Sequence, residues 1–320
     1  MSTPLRTLVA GVATLDPRDP VLLPALRLAE RTGAALHLVH AHAPDPAVLA
    51  RYARQGYAGA DPARMYDDAL QARLEGEVHG LSRDARVVCR AHAGRPEEVL
   101  CRVAAEVGAD ALLLAPTRRG PLAGALLGTT AEHVLRHATV PVLVLHGEPA
   151  FHRVLLTTDL SAHSVPAHGR GLALACALAA SEHPSLRTLH VVPPASLEQT
   201  VDGADDDVNA AIRELAELLP EHAVGGNVPA ACVRFGVPAE AIVHEARAWS
   251  ADLLVLGTHR RRGAARFFLG SVAGTVLRHA PCSVLVVPPV RTGAAGTTVQ
   301  LGEMPIVGEP APEPDTAHAS

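Results

Sequence analysis

Gly-Thr-Thr-Ala-Glu-His-Val-Leu-Arg-His-Ala-Thr-Val-Pro-Val-Leu-Val-Leu (Gly128 to Leu145) returns later in the chain as Gly-Ser-Val-Ala-Gly-Thr-Val-Leu-Arg-His-Ala-Pro-Cys-Ser-Val-Leu-Val-Val (Gly270 to Val287). The same 142 residues separate Arg136 from Arg278, Gly128 from Gly270 and Gly94 from Gly236. A repeat of domain size means two copies of one fold, since solenoid repeats recur every ~20–50 residues. Each copy then serves as a template for the other, and their differences carry information.

Working outward from that stretch, apolar runs and helical periodicity alternate. In the first copy, strands are expected at Thr7–Val12, Leu36–Ala41, Ala85–Ala91, Ala111–Leu114 and Val140–Leu145. Helices are expected at Pro20–Thr32 with Gly33 ending it, at Ala63–Leu81, from Gly94-Arg95-Pro96 to near Gly108, and at Thr129–His137. Pro44 to Gly59 reads as a loop or broken helix. The second copy repeats the order, with strands at Arg153–Thr158, Arg187–Val192, Ala230–Phe235, Asp252–Leu256 and Cys282–Pro288. Its helices begin near Ser164, Asp206, Pro238 and Ser271. Alternating strands and helices imply right-handed parallel crossovers. The fold class is therefore α/β, with two tandem doubly wound five-stranded parallel-sheet domains at 1–147 and 151–290. The short link from His146 to Phe151 packs the domains against each other. Residues 291–320, rich in Gly, Pro, Thr and Glu, read as a disordered tail.

Composition narrows the function. The formal charge of −5 gives no overall basic footprint for nucleic acid. No apolar run reaches membrane-spanning length and no signal-peptide pattern opens the chain, so a soluble, cytoplasmic protein with no membrane partner is expected. The five cysteines lack CxxC spacing and read as reduced thiols. The 18 histidines include no HExxH spacing, so no metal site is expected. His40 and His42 share one strand face, and the reading preferred for them is a strand-end histidine with a polar partner. No residue is singled out as catalytic: there is no GxxxxGK[ST] loop and no base beside Ser271, so the chain is not expected to be an enzyme.

The segment best suited to a ligand runs from Leu256-Gly257-Thr258 through Arg260, Arg261, Arg262 and Arg266 to Leu269-Gly270-Ser271. It leaves a buried strand and enters a helix whose expected N-cap is Ser271. Open parallel sheets bind ligands at the carboxyl ends of strands. Glycines that admit close backbone approach, helix amides and arginines together suit a phosphorylated ligand. Against this stands the plainer reading of solvated arginines and ordinary loop glycines.

The sequence Val154-Leu155-Leu156-Thr157-Thr158-Asp159-Leu160-Ser161, with Leu189-His190-Val191-Val192-Pro193, Ala251 to His259, Leu269 to Val272 and Arg278 to Val287, resembles the universal stress protein family. The resemblance covers both halves, about residues 1–290, and implies a fold of the adenine-nucleotide alpha-hydrolase type with the two fifth strands paired. Its nucleotide-binding branch implies ATP or a related adenine nucleotide, with Mg²⁺, bound through G-x2-G-x9-G-[S/T]. Asp159 matches the carboxylate at the end of strand one, Val191 the main-chain contact to adenine, and Gly257, Gly270 and Ser271 the first glycine, third glycine and hydroxyl. Arg260 stands where the second glycine belongs, and either pairs with a phosphate or plugs the site. The first copy departs further: Ala13 replaces the Asp, Ala115 the first glycine and Arg118 the second, leaving Gly128 and Thr129. Thr129 and Glu132 read as a capping box, and Gly274 leaves the second copy's helix start less acidic. The expected function is a nucleotide-binding stress-response module acting through its second domain. The alternative is a non-nucleotide scaffold working through homodimerisation and protein partners.

Overall fold

The repeated stretch Thr129–His137 and its copy Ser271–His279 are both helices, and each leads into a short buried strand, Val142–Val144 and Ser283–Val287. This computed structural model describes residues 5–54, 61–82, 84–116, 128–162, 164–181, 183–193, 204–221, 223–258 and 270–289. The first half comprises β1 (Thr7–Val12), α1 (Leu22–Thr32), β2 (Ala35–His42), α2 (Pro46–Arg54), α3 (Pro62–His79), β3 (Val87–Ala93), α4 (Pro96–Glu106), β4 (Ala111–Leu114), α5 (Thr129–His137) and β5 (Val142–Val144). The second comprises β6 (Arg153–Thr157), α6 (Ser164–Leu178), β7 (Ser185–Val192), α7 (Ala204–Glu221), β8 (Ala230–Phe235), α8 (Pro238–Ala248), β9 (Leu253–Gly257), α9 (Ser271–His279) and β10 (Ser283–Val287). The tail at 291–320 lies outside the described residues.

The strands join into one ten-stranded sheet in the order β3-β2-β1-β4-β5-β10-β9-β6-β7-β8. Pairing is parallel within each half and antiparallel only between β5 and β10. Val142 faces Val286, Leu143 faces Leu285 and Val144 faces Val284. Leu143 and Leu285 are themselves repeat equivalents, so each half pairs with its copy about a pseudo-two-fold axis through these two leucines. The carboxyl ends of the two sets of strands therefore point to opposite edges of the sheet. Helices cover both faces, which is why the central strands are apolar without alternation: β4, β5 and β10 are buried throughout.

Shared polar ties repeat with the fold. Asp110 accepts the backbone amides of Arg6 and Thr7 at 2.7 and 2.9 Å, and Asp252 those of His152 and Arg153 at the same distances. Gly94 and Gly236 close the third strand of each half at φ of 142° and 132°, a region that side-chain-bearing residues rarely occupy. Between the halves, the Arg31 guanidinium on α1 donates to the Leu178 carbonyl at the end of α6, 2.7 Å away, and Phe151 of the link is fully buried.

Two expectations need correction, and one left open between loop and broken helix is decided. The helix copies are capped by Gly128 and Gly270, not by Thr129 or Ser271, and neither cap is made by a side chain. Thr129 and Ser271 each occupy the first helical turn, so the capping box does not form. The segment from Pro44 contains helix α2, which Asp45 starts by accepting the Ala47 amide at 2.8 Å ahead of Pro46. Strand β3 lies two residues later than its apolar run suggests, because its pairing with β2 begins at Val87 and continues to Ala93.

Candidate functional site

Beyond β6 the chain turns sharply through Thr158, Asp159, Leu160 and Ser161 before entering α6. The turn is built from hydroxyls. Thr158 Oγ1 lies 3.0 Å from Ser164 Oγ and accepts the Leu160 amide at 3.0 Å, while Ser164 Oγ accepts the Asp159 amide at 3.3 Å. Ser161 Oγ accepts the Ser164 amide at 3.2 Å. Leu160 takes φ of 60°, an uncommon conformation for a branched residue, which this network holds in place. Thr158 and Ser164 are buried; Asp159 is exposed, and its Oδ1 accepts the Ser161 amide at 3.0 Å. From β7, the His190 ring places Nδ1 3.0 Å from the Thr158 carbonyl, fixing the same turn from the side.

The other expected residues fall around the carboxyl edge of the second-half strands. Val191 is buried at the end of β7, and Gly257 ends β9 in register with Val287. The next residue, Thr258, donates its amide to the Val287 carbonyl at 3.0 Å. Gly270 and Ser271 open α9 at the exposed surface. The structure thus brings Asp159, Val191, Gly257, Gly270 and Ser271 to one edge of the sheet. Arg260, together with Arg261, Arg262, Arg266, Phe267 and Phe268, lies outside the described residues, as does Arg118.

The start of α9 has the neutral character that suits an anion. No side chain caps it, its first turn carries no acidic residue, and a Cβ built on Gly270 would meet nothing within 4 Å. Among the described residues no side chain meets the first-turn amides, and amides and helix dipole at such a start favour negative charge. The start of α5 has the same uncapped geometry but carries Glu132 in its first turn.

The first-half counterpart is organised differently. Ala13 supplies no carboxylate, and the turn after β1 is tied by the buried Asp19, which accepts the amides of Ala13, Thr14 and Val21 at 2.9, 2.9 and 3.0 Å. At the end of β2, His40 places Nδ1 3.0 Å from the Val12 carbonyl, matching His190. His42 Nε2 lies 2.7 Å from Asp67 Oδ1, with the Tyr66 ring edge-on at 5.0 Å. Both histidines therefore have the polar partners expected of strand-end residues.

Sequence reading missed three features. The hydroxyls of Thr158, Ser161 and Ser164 build the turn; their Thr-Asp-x-Ser-x-x-Ser spacing is a helix-start signal. Asp19 performs the equivalent task in the first half. The third is Glu245, 2 % exposed on α8, which binds Arg187 and Arg234 from β7 and β8, the latter at 2.8 Å. Burial acts to raise its pKa, but the two guanidinium groups outweigh it and hold the carboxyl below its usual range. The Arg187 guanidinium also lies over the Trp249 ring, 4.5 Å from its centre.

Other chemistries find little support among the described residues. No group of three or more His, Cys, Asp or Glu side chains is placed to hold a metal ion. All five cysteines are free thiols, and burial pushes Cys282 up to about 12 and Cys89 and Cys101 up to about 11, far from a reactive thiolate. No helix among them is long and apolar enough to cross a membrane.

Comparison with known proteins agrees with this architecture. The sequence matches the universal stress protein family twice, over residues 4–146 and 150–288. It is 30 % identical over 226 residues to a universal stress protein of Mycolicibacterium smegmatis, covering 67 % of this chain and 71 % of that one. The fold is shared with a solved structure described as a universal stress protein from Pseudomonas aeruginosa (TM-score 0.61, 20 % identity, 89 % of this chain and 94 % of that chain). It is shared also with a universal stress protein from Archaeoglobus fulgidus (TM-score 0.59, 18 % identity, 88 % and 98 %). The chain belongs to the universal stress protein family, as a member with two tandem domains.

Proposed function

We propose that the second half binds ATP or a related adenine nucleotide, with Mg²⁺ carried on its phosphates, and that the chain acts as a stress-response binding module and not as a catalyst. The observation that carries this reading is the pairing of an exposed carboxylate, Asp159, with the uncapped, non-acidic start of α9 along one sheet edge. Asp159 offers an acceptor to the ribose or base, and Val191 lies where main chain meets adenine. Gly257 admits close approach, while Gly270, Ser271 and the first-turn amides of α9 receive phosphate oxygens. The first half lacks the carboxylate and carries Glu132 at its helix start, so it serves as the structural partner. Domain limits near 147 and 151 follow from the same division.

Equilibrium binding of a fluorescent ATP analogue tests the proposal. Asp159→Ala is expected to weaken binding about tenfold, as loss of one buried-site hydrogen-bond partner implies. Wild-type protein that binds nothing at millimolar nucleotide would overturn it. The antiparallel β5–β10 joint favours a second reading, a scaffold without nucleotide. Adenine nucleotide retained by the purified protein through gel filtration would remove that alternative.

A further inference from the structure

We propose that Ser164 is a positioning residue of the second-half site: its buried hydroxyl sets the place of Asp159, and so the affinity of the nucleotide, without touching the ligand. The inference rests on the nucleotide reading above. Asp159 is fixed on its amide side by Ser164 Oγ at 3.3 Å and on its carboxylate side by the Ser161 amide at 3.0 Å. The residue before it is held by the Thr158 Oγ1–Ser164 Oγ contact of 3.0 Å, and the residue after it by Thr158 Oγ1 at 3.0 Å. One hydroxyl pair thus controls both neighbours of the carboxylate. Ser164 is 5 % exposed and Thr158 6 % exposed, so water does not compete for these bonds.

The first half shows what this arrangement changes. There the turn is tied by Asp19, a buried carboxylate that accepts three amides. Such a tie places a negative charge inside the turn. The second half does the same mechanical task with neutral hydroxyls, which leaves the carboxylate at Asp159, on the exposed side. Moving the charge from inside the turn to its surface turns a structural tie into a ligand contact. Ser164 makes that exchange workable, because a turn without the hydroxyl pair would leave the Asp159 and Leu160 amides without these acceptors and Leu160 unsupported at φ of 60°.

The test is a double-mutant cycle on the full-length protein, read as the dissociation constant of a fluorescent ATP analogue, with thermal midpoint recorded alongside. Ser164→Ala is expected to weaken binding about fivefold in the wild-type background and to change it by less than about 1.5-fold in the Asp159→Ala background. Ser164→Thr, which keeps the hydroxyl, should restore most of the affinity. Thr158→Val breaks the same hydroxyl pair from the other side, should reproduce the pattern, and serves if Ser164→Ala does not fold. Equal losses in both backgrounds, or a lowered midpoint with unchanged affinity, would overturn the positioning role while leaving nucleotide binding intact. A wild-type protein that binds no nucleotide would overturn both readings together.

Discussion

The two halves share a backbone plan but not a charge plan. In the first, the carboxylates at the sheet's ligand edge are turned to internal work: Asp19 ties the turn after β1, Asp67 holds His42, and Glu132 sits in the first turn of α5. In the second, the equivalent turn is held by hydroxyls, the carboxylate stands outside at Asp159, and the helix start is neutral. A second contrast lies on the helices that pack beside α5 and α9. Val103 in α4 is a buried apolar residue, whereas its repeat equivalent is Glu245, bracketed by two arginines. The lesson is that a position changes character only together with its partners: Asp110 and Asp252 keep the same amides and so recur, whereas Glu245 replaces a buried valine where Arg187 and Arg234 are present to receive it.

Glu245→Ala should give one of the largest stability effects, about 3 kcal/mol, because it strips a buried carboxylate from two guanidinium groups. Its folded pKa is lowered, so this contribution is present above the ordinary carboxylate value and is lost as pH falls through the folded one. Urea unfolding at pH 7 and below about pH 4 should therefore show the variant's deficit shrinking in acid. A pH-independent deficit would assign the effect to lost packing instead.

Leu143→Ala and Leu285→Ala, at the pseudo-two-fold axis, should each cost about 3 kcal/mol, as deletion of a fully buried leucine does. Their equality is the sharper expectation. A difference greater than about 1 kcal/mol between them would show that the surroundings of the joint are not equivalent, and would break the symmetric half of the comparison. Smaller still is Gly270→Ala: its φ of −56° is ordinary and a Cβ there meets no described atom within 4 Å, so the cost is that of alanine at an N-cap, about 0.5–1 kcal/mol. Nucleotide affinity should fall more than stability does if phosphate approaches this backbone. Gly128→Ala is the matched control, with a similar small loss of stability and binding nearly unchanged.

Much of the fold was legible from the residues because its strands are short apolar runs bounded by glycine, proline or aspartate. Thr7–Val12, Ala111–Leu114 and Ala230–Phe235 carry the expected limits. Helix starts were legible to within about two residues, as at Leu22 for Pro20 and Ala204 for Asp206; Gly270 caps where Ser271 was expected, since a glycine cap acts through backbone geometry and a serine is the more visible signal. The segment from Pro44 reads as loop or broken helix, and the Asp45-Pro46 start of α2 decides for a helix over Pro46–Arg54. The gathering of Asp159, Val191, Gly257, Gly270 and Ser271 at one edge was legible through the repeat and the family resemblance. Asp19 and Ser164 were not, because a loop carboxylate or hydroxyl looks solvated until the amides it accepts are brought to it. Glu245 was hidden for a related reason: helical spacing beside Ile242 and Ala246 puts it on the covered face, but its partners lie in two strands distant along the chain.

The joint between β5 and β10 has a consequence for how the protein responds to dilution. Both strands belong to one chain, so closing the joint is a first-order event whose equilibrium does not depend on protein concentration. Its inner strand edges are used up in the process. Among the described strands, only β3 and β8 are left for pairing with another molecule, and these outer edges differ: Arg90 and His92 line one, Arg234 and Phe235 the other. Like-to-like pairing along them closes into a dimer, whereas β3-to-β8 pairing repeats without closing. The duplication therefore makes one association permanent and leaves the chain with two dissimilar ends.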